Sequence, residues 1–133
     1  MFNNLNNMSN KYGVEFSGAD LISNTHLALL ASEYVKEKGK FHEFHDKLFS
    51  VYFNEEKNIG DLELLKSIVE NIGLNKEEMI KKIEDGSYES NLTEAKKLAI
   101  QYRVNSTPTF IINDKYDIVG AQSIESFKKI LLN

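Results

Sequence analysis

Cysteine is absent from all 133 residues. Its absence excludes disulfides, cysteine-ligated zinc and a thiolate nucleophile from this stretch of polypeptide. Tryptophan is also absent, and proline occurs once, at Pro108. No apolar run approaches the roughly 20 residues that a spanning helix needs. The opening MFNNLNNMSNKYG has neither the basic start nor the apolar centre of a secretory signal. A cytoplasmic location is therefore expected, with no membrane partner. An excess of positive charge is missing as well: 16 Lys+Arg stand against 20 Asp+Glu, a net charge of -4. That is the wrong sign for tracking a phosphate backbone, so no nucleic-acid partner is expected. The pairs and triplets Lys36/Lys38/Lys40, Lys96/Lys97 and Lys128/Lys129 are interrupted by acidic or apolar neighbours and read as solvated faces.

The residues that remain have an ordinary globular composition, 41% hydrophobic and 27% charged, with eight Phe and six Tyr. One domain over residues 1–133 is expected at this length, burying about two-thirds of its unfolded surface. Residues 1–22 read as an Asn-rich leader. The piece Tyr12-Gly13-Val14-Glu15-Phe16-Ser17-Gly18 within it reads as irregular or briefly extended. From Asn24, the spacing of Leu27, Leu30, Ala31, Tyr34 and Val35 predicts a helix capped by Asn24 or Thr25 and stopped at Gly39. Phe41, Phe44, Leu48, Val51 and Tyr52 predict a second, aromatic-rich helix. A third is predicted near 61–72, capped by Asp61, with Leu62, Leu65, Ile68, Val69 and Ile72 inward and Gly73 as its stop. Asn75-Lys76-Glu77-Glu78 has the form of a capping box opening a short helix with Met79, Ile80 and Ile83 inward, closed by Gly86. Tyr88, Leu92, Ala95, Ala99 and Tyr102 mark a fifth helix.

The period then shortens. Thr109–Ile112 and Tyr116–Val119 are β-branched and aromatic runs separated by Asn113-Asp114-Lys115, which predicts a hairpin. Gly120-Ala121-Gln122 leads to Ser123, a cap for a last helix carrying Ile124, Phe127, Ile130 and Leu131.

Thr107-Pro108-Thr109-Phe110 entering a hairpin, followed by Gly120-Ala121-Gln122 and a terminal helix, resembles the C-terminal half of a thioredoxin fold. The block from Ser23 to Leu65, with Asn24, Thr25 and Ala28 at its start and Leu48, Phe49, Tyr52 and Phe53 later, resembles the helical insertion of DsbA-like oxidoreductases. Within that family it is similar to the cytosolic FrnE-like or dithiol-disulfide isomerase branch. The resemblance covers residues 12–132, with Leu29 standing where the family often has His. It implies an α/β, mostly helical class: a truncated DsbA-like thioredoxin fold with a leader (1–22), a helical insertion (23–104) and a C-terminal thioredoxin-like half (105–133). The family's first strand, its Cys-x-x-Cys helix and its second strand have no counterpart here. The expectation is accordingly a fragment, or a chain completed by a separate N-terminal piece.

Thiol-disulfide exchange requires a thiolate that attacks a sulfur. No catalytic residue is therefore assigned, and redox inactivity of this chain is expected. The resemblance implies a cis Thr107-Pro108 bond and a backbone at Thr107 that pairs with an extended peptide or with glutathione, beside Gly120 and Ala121. No cofactor and no metal are implied. His42 and His45 share a helix but lack a third ligand at recognisable spacing, and read as a polar face. His26 reads as a surface residue, and Glu55/Glu56 and Glu77/Glu78 as solvated pairs. Phe41, Phe44, Phe49, Tyr52 and Phe53 read as core packing rather than a pocket.

Two functional readings follow. One is a dithiol-disulfide oxidoreductase or isomerase homologue, inactive as this chain. The other is a non-catalytic peptide-binding or assembly module. A lesser reading is the remnant of a glutathione-dependent isomerase or kappa-class transferase. An open strand edge at Phe110 and Ile112 predicts a homo-oligomer, in the first instance a homodimer.

Overall fold

The computed structural model describes residues 2–16 and 21–132. Contacts divide the chain into two compact units, Met1–Leu92 and Thr93–Asn133, with the division inside one helix. No helix among the described residues is long and apolar enough to cross a membrane.

The first unit begins with an element that the sequence does not announce. Phe2–Ser9 is an α-helix, α1, running into a 3-10 turn at Asn10–Tyr12. Asparagine is a poor helix former, and the bonds that hold this segment are tertiary. The Asn6 side chain donates through Nδ2 to the Phe16 carbonyl (2.8 Å) and accepts from the Phe16 amide (2.7 Å). Ser9 Oγ donates to the Val14 carbonyl at 2.6 Å. Val14–Phe16 is thus strapped along α1 without regular secondary structure. Ser17 and Gly18 lie outside the described residues.

Four helices then form the core: α2 (His26–Glu37), α3 (Phe41–Phe53), α4 (Leu62–Asn71) and α5 (Lys76–Glu84). The three-and-four spacing of α2 puts Leu30, Ala31, Tyr34 and Val35 on one buried face. Phe44, Leu48 and Val51 of α3, Leu65, Ile68 and Val69 of α4, and Met79 of α5 meet them. Full burial of each large apolar side chain stabilises by about 1.5–3 kcal/mol.

Predicted caps are in place. The Asp61 carboxylate accepts from the Glu63 amide (2.9 Å) and the Asn75 side chain accepts from the Glu78 amide (3.0 Å). α2 starts differently, for Thr25 makes no side-chain cap bond and Asn24 Oδ1 accepts from the His26 amide instead. Gly60 sets the approach of two loops, since a Cβ there would stand 2.6 Å from the Asn24 carbonyl oxygen. The neighbouring Ile59 amide donates to Ser23 Oγ at 3.2 Å.

Tyr34 is fully buried, yet its hydroxyl is satisfied: it donates to the Asn75 carbonyl (2.9 Å) and lies 3.0 Å from Glu78 Oε2. The Glu78 carboxylate, expected to close a capping box, turns instead to this phenol and to Lys38 Nζ (2.8 Å). A parallel pair joins the Tyr88 hydroxyl to Glu37 Oε2 at 2.6 Å.

The second unit carries most of α6 (Glu89–Gln101), strands β1 (Thr109–Ile112) and β2 (Tyr116–Val119), and α7 (Ile124–Leu131). α6 ends with Arg103 in the left-handed region at φ 53, and the Val104 amide returns to the Ala99 carbonyl. β1 and β2 pair antiparallel, with Thr109 opposite Val119 and Ile112 opposite Tyr116. Asn113 and Asp114, both left-handed at φ 51 and 54, turn the three-residue connection between the strands, and the Lys115 amide donates to the Ile112 carbonyl. Ser123 caps α7 through the Ser126 amide. Phe110 and Phe127 meet edge to face, with centroids 4.9 Å apart. Among the described residues of this unit only Ile118 is buried.

Phe44→Ala should cost about 3–5 kcal/mol by cavity formation, and Tyr34→Phe about 1–3 kcal/mol through the bond lost at the Asn75 carbonyl. Urea denaturation followed by circular dichroism measures both; equal midpoints for wild type and Phe44→Ala would contradict this packing.

Burial, reinforced by the Glu78 bond, pushes the Tyr34 phenol up to about 12, and burial with the Glu37 bond pushes Tyr88 up as well. Because the folded values lie above the unfolded value near 10, the stability linked to these phenols is complete below about pH 10. It is lost as pH rises through the folded value. A late phenolate absorbance step should therefore coincide with loss of helical circular dichroism, and Tyr34→Phe should shrink it.

Candidate functional site

The segment Val104–Pro108 joins α6 to β1, and the pairing register determines what surrounds it. Because Thr109 faces Val119, the residues before β1 and after β2 lie side by side at one end of the hairpin. The Gly120 amide donates to the Pro108 carbonyl at 2.8 Å, and Gly120 takes φ 82, a conformation open to a residue without a Cβ. Thr109 Oγ1 donates to the Ser106 carbonyl at 2.6 Å, and Gln122 Nε2 to the Val119 carbonyl at 2.9 Å. The Thr107-Pro108 peptide is cis. Of the residues the resemblance points to, Pro108 and Gly120 are thus bonded to each other, and Thr107 and Ala121 are their neighbours in the chain.

Thr107 is exposed. Among the described residues its backbone N–H and C=O make no hydrogen bond. An open donor and acceptor at the start of a strand can be paired by an extended chain laid alongside it.

A second feature lies within the helical unit. The aromatic residues of α3 are not all core, as their spacing suggests. Phe44 is fully buried, whereas Phe41 and Phe49 are 36% and 49% exposed. The reason is helical geometry: Phe44, Leu48 and Val51 follow one stripe, and Phe41, His45, Phe49 and Phe53 follow the adjacent one at intervals of four. Ring centroids along this second stripe are 5.5, 4.1 and 5.5 Å apart, and Phe16 continues it at 5.1 Å from Phe53. The Tyr52 hydroxyl leaves the core to donate to the Leu21 carbonyl at 3.1 Å. The structure thus places His45 among aromatic rings, while His42 is exposed. Among the described residues no three His, Asp or Glu side chains gather within reach of one metal ion. His26 Nε2 stands 2.9 Å from Glu89 Oε1 at the surface.

Two acids read as merely solvated have partners. The Lys38 ammonium and then the Tyr34 hydroxyl hold Glu78 below the ordinary carboxylate range. Lys57 and Lys47 do the same for Glu55. Leu29, noted in the sequence only for standing where the family often has His, and Glu33, unremarked there, line a groove between α2 and α3 that also touches Phe41, His45 and Phe49. Their spacing of four along α2 marks one face, but nothing in a single sequence tells an unfilled face from a filled one.

Comparisons with known proteins agree with this architecture. The structure of a probable DsbA oxidoreductase, SCO1869 from Streptomyces coelicolor, superposes with a TM-score of 0.83 at 23% identity, over 97% of this chain and 56% of that one. In sequence, the chain is 32% identical over 127 residues to the uncharacterized protein YwbO of Bacillus subtilis, covering 93% of this chain and 63% of that protein. It is 28% identical over 98 residues to the thiol:disulfide interchange protein DsbA of Pseudomonas aeruginosa, covering 72% of this chain and 46% of that protein. The chain thus spans about half to under two-thirds of the length of these relatives. The DSBA-like thioredoxin domain model matches residues 1–132, further toward the N-terminus than residue 12, where the resemblance read from the sequence begins. With nearly its whole length matched and the fold shared, the chain belongs to the DSBA-like thioredoxin domain family.

Proposed function

We propose that these 133 residues form the substrate-holding part of a DsbA-family thiol-disulfide oxidoreductase or dithiol-disulfide isomerase, and that by themselves they perform no redox step. The observation that carries the reading is the exposed, unpaired Thr107 backbone beside Pro108 and Gly120, in a chain with no cysteine. Exchange proceeds by attack of a thiolate on one sulfur of a disulfide, giving a mixed disulfide and releasing the other sulfur as thiolate. Neither a hydroxyl nor an imidazole among these residues replaces that nucleophile. The thiol therefore comes from another polypeptide or from residues beyond these. The loop's part is to receive an extended peptide by backbone pairing at Thr107.

Assembly through the hairpin belongs to the same reading. Two strands alone are marginal, and this unit buries only Ile118 among its described residues. Phe110 is 41% and Val119 54% exposed. An open apolar edge of this kind is commonly paired or covered. A homodimer joined across β1, near Phe110 and Ile112, would supply that cover.

In an insulin-reduction assay with dithiothreitol, the purified chain should leave the rate of the reductant alone unchanged; acceleration would refute redox inactivity. Amide resonances of Thr107 and Gly120 should shift on adding an unstructured disulfide-bonded peptide, and silence at both would refute the receiving role. A shift with glutathione and none with the peptide would favour the glutathione-dependent relatives instead.

Light scattering across a dilution series should give a dimer mass that falls on dilution. A monomer at every concentration would refute the assembly.

A further inference from the structure

The groove between α2 and α3 has a volume of about 360 Å³, toward the lower end of small-molecule sites, which run from roughly 300 to 1,000 Å³. Leu29, Leu48, Ile59 and Leu92 give it apolar walls, and the rings of Phe41 and Phe49 stand at its side, half exposed. It is lined wholly by residues of the helical unit.

Its charge is one-sided. Among the lining residues Glu33 is the one acid, and neither Lys nor Arg is present. The Glu33 side chain is mostly buried, at 22% exposure, and its two polar partners both approach one oxygen: Asn91 Nδ2 lies 2.7 Å and Lys36 Nζ 3.8 Å from Oε2. Oε1 has no hydrogen bond among the described residues. The Lys36 contact is long and its side chain 65% exposed, so it offsets the carboxylate only weakly. His45 is the other ionisable group of the lining, and its contact with Asp46, 3.9 Å from Nδ1 to an 87% exposed carboxylate outside the groove, adds little. Phenyl faces attract cations through their quadrupole. The carboxylate and the rings therefore favour the same sign of ligand, while the aliphatic walls require an apolar body.

We propose that this groove binds a small organic cation, a single ammonium group carried on an aromatic or branched-alkyl body. The ammonium would meet Glu33 and the ring faces, and the hydrocarbon would lie against Leu29, Leu48, Ile59 and Leu92. A neutral ligand of the same shape would keep the hydrocarbon term alone. An anionic one would meet Glu33 with repulsion.

Three probes of one shape separate these terms: phenethylammonium, phenethyl alcohol and phenylacetate. Each is titrated into the whole chain while the methyl resonances of Leu29, Leu48, Ile59 and Leu92 are followed. Phenethylammonium should bind roughly three- to tenfold more tightly than the alcohol, and phenylacetate most weakly. Glu33→Gln, which keeps an acceptor for Asn91, should erase the preference for the cation and leave the alcohol's affinity unchanged. Leu29→Trp, at a half-exposed rim position, should block all three probes. The proposal is overturned if none of the probes shifts these methyls, if the alcohol binds as tightly as the ammonium, or if the preference survives Glu33→Gln.

Discussion

The phenol of Tyr34 is the point at which the helical unit is tied together. It is a fully buried polar group in the last turn of α2, and an unpaired hydroxyl there would cost a few kcal/mol. Its partners are the carbonyl and the third residue of the turn that opens α5, Asn75 and Glu78. One hydrogen-bonded group therefore sets the height and rotation of α5 against α2. The same carboxylate reaches Lys38, just past the end of α2, so the two helix ends are clamped at their shared corner. Tyr88 repeats the device with Glu37, bringing the start of α6 against the last turn of α2. Leu65, Ile68 and Val69 fill the space that these bonds define.

The two units differ in how much they bury. The helical unit has a continuous apolar interior built from four helices and closed over by Tyr88 and Ile59. The second unit holds a hairpin, most of a helix with no buried residue, and α7 around Ile118. Its order rests on backbone bonds, the Ser123 cap and the Phe110–Phe127 contact more than on an interior. The loop read as receiving a peptide thus sits on the less consolidated unit. Segments with few buried apolar contacts open more readily than those within a core.

Much of this was legible in the sequence because the relevant physics is local. Asp61, Asn75 and Ser123 each satisfy an amide within three residues, and Asn113-Asp114 tolerates the left-handed turn that the hairpin needs. The neighbourhood of Pro108 and Gly120 was implied by the resemblance to the thioredoxin fold, and the bond from the Gly120 amide to the Pro108 carbonyl joins the two. What escaped depends on distant partners. α1 is built of poor helix formers and held by Asn6 reaching Phe16. Glu78 looked like half of a capping box because its partners, Tyr34 and Lys38, are about forty residues away. The split of the α3 aromatics into a buried and an exposed stripe escaped for another reason: intervals of three and four fit two adjacent faces equally well, and only the neighbouring helices decide which is covered.

The hairpin turn has a consequence for how the chain behaves before it is folded. Ile112 and Tyr116 pair across only three intervening residues, so closing the loop costs little chain entropy and hairpins of this kind form on a microsecond scale. The helical unit must gather partners from Ala28 to Tyr88 before its interior exists. β1 and β2 can therefore be assembled while the rest of the polypeptide is still collapsing. During that interval a short, sticky ribbon with Phe110 and Val119 outward is available to any neighbouring nascent chain. Strand edges exposed before the interior is complete are where association between chains begins.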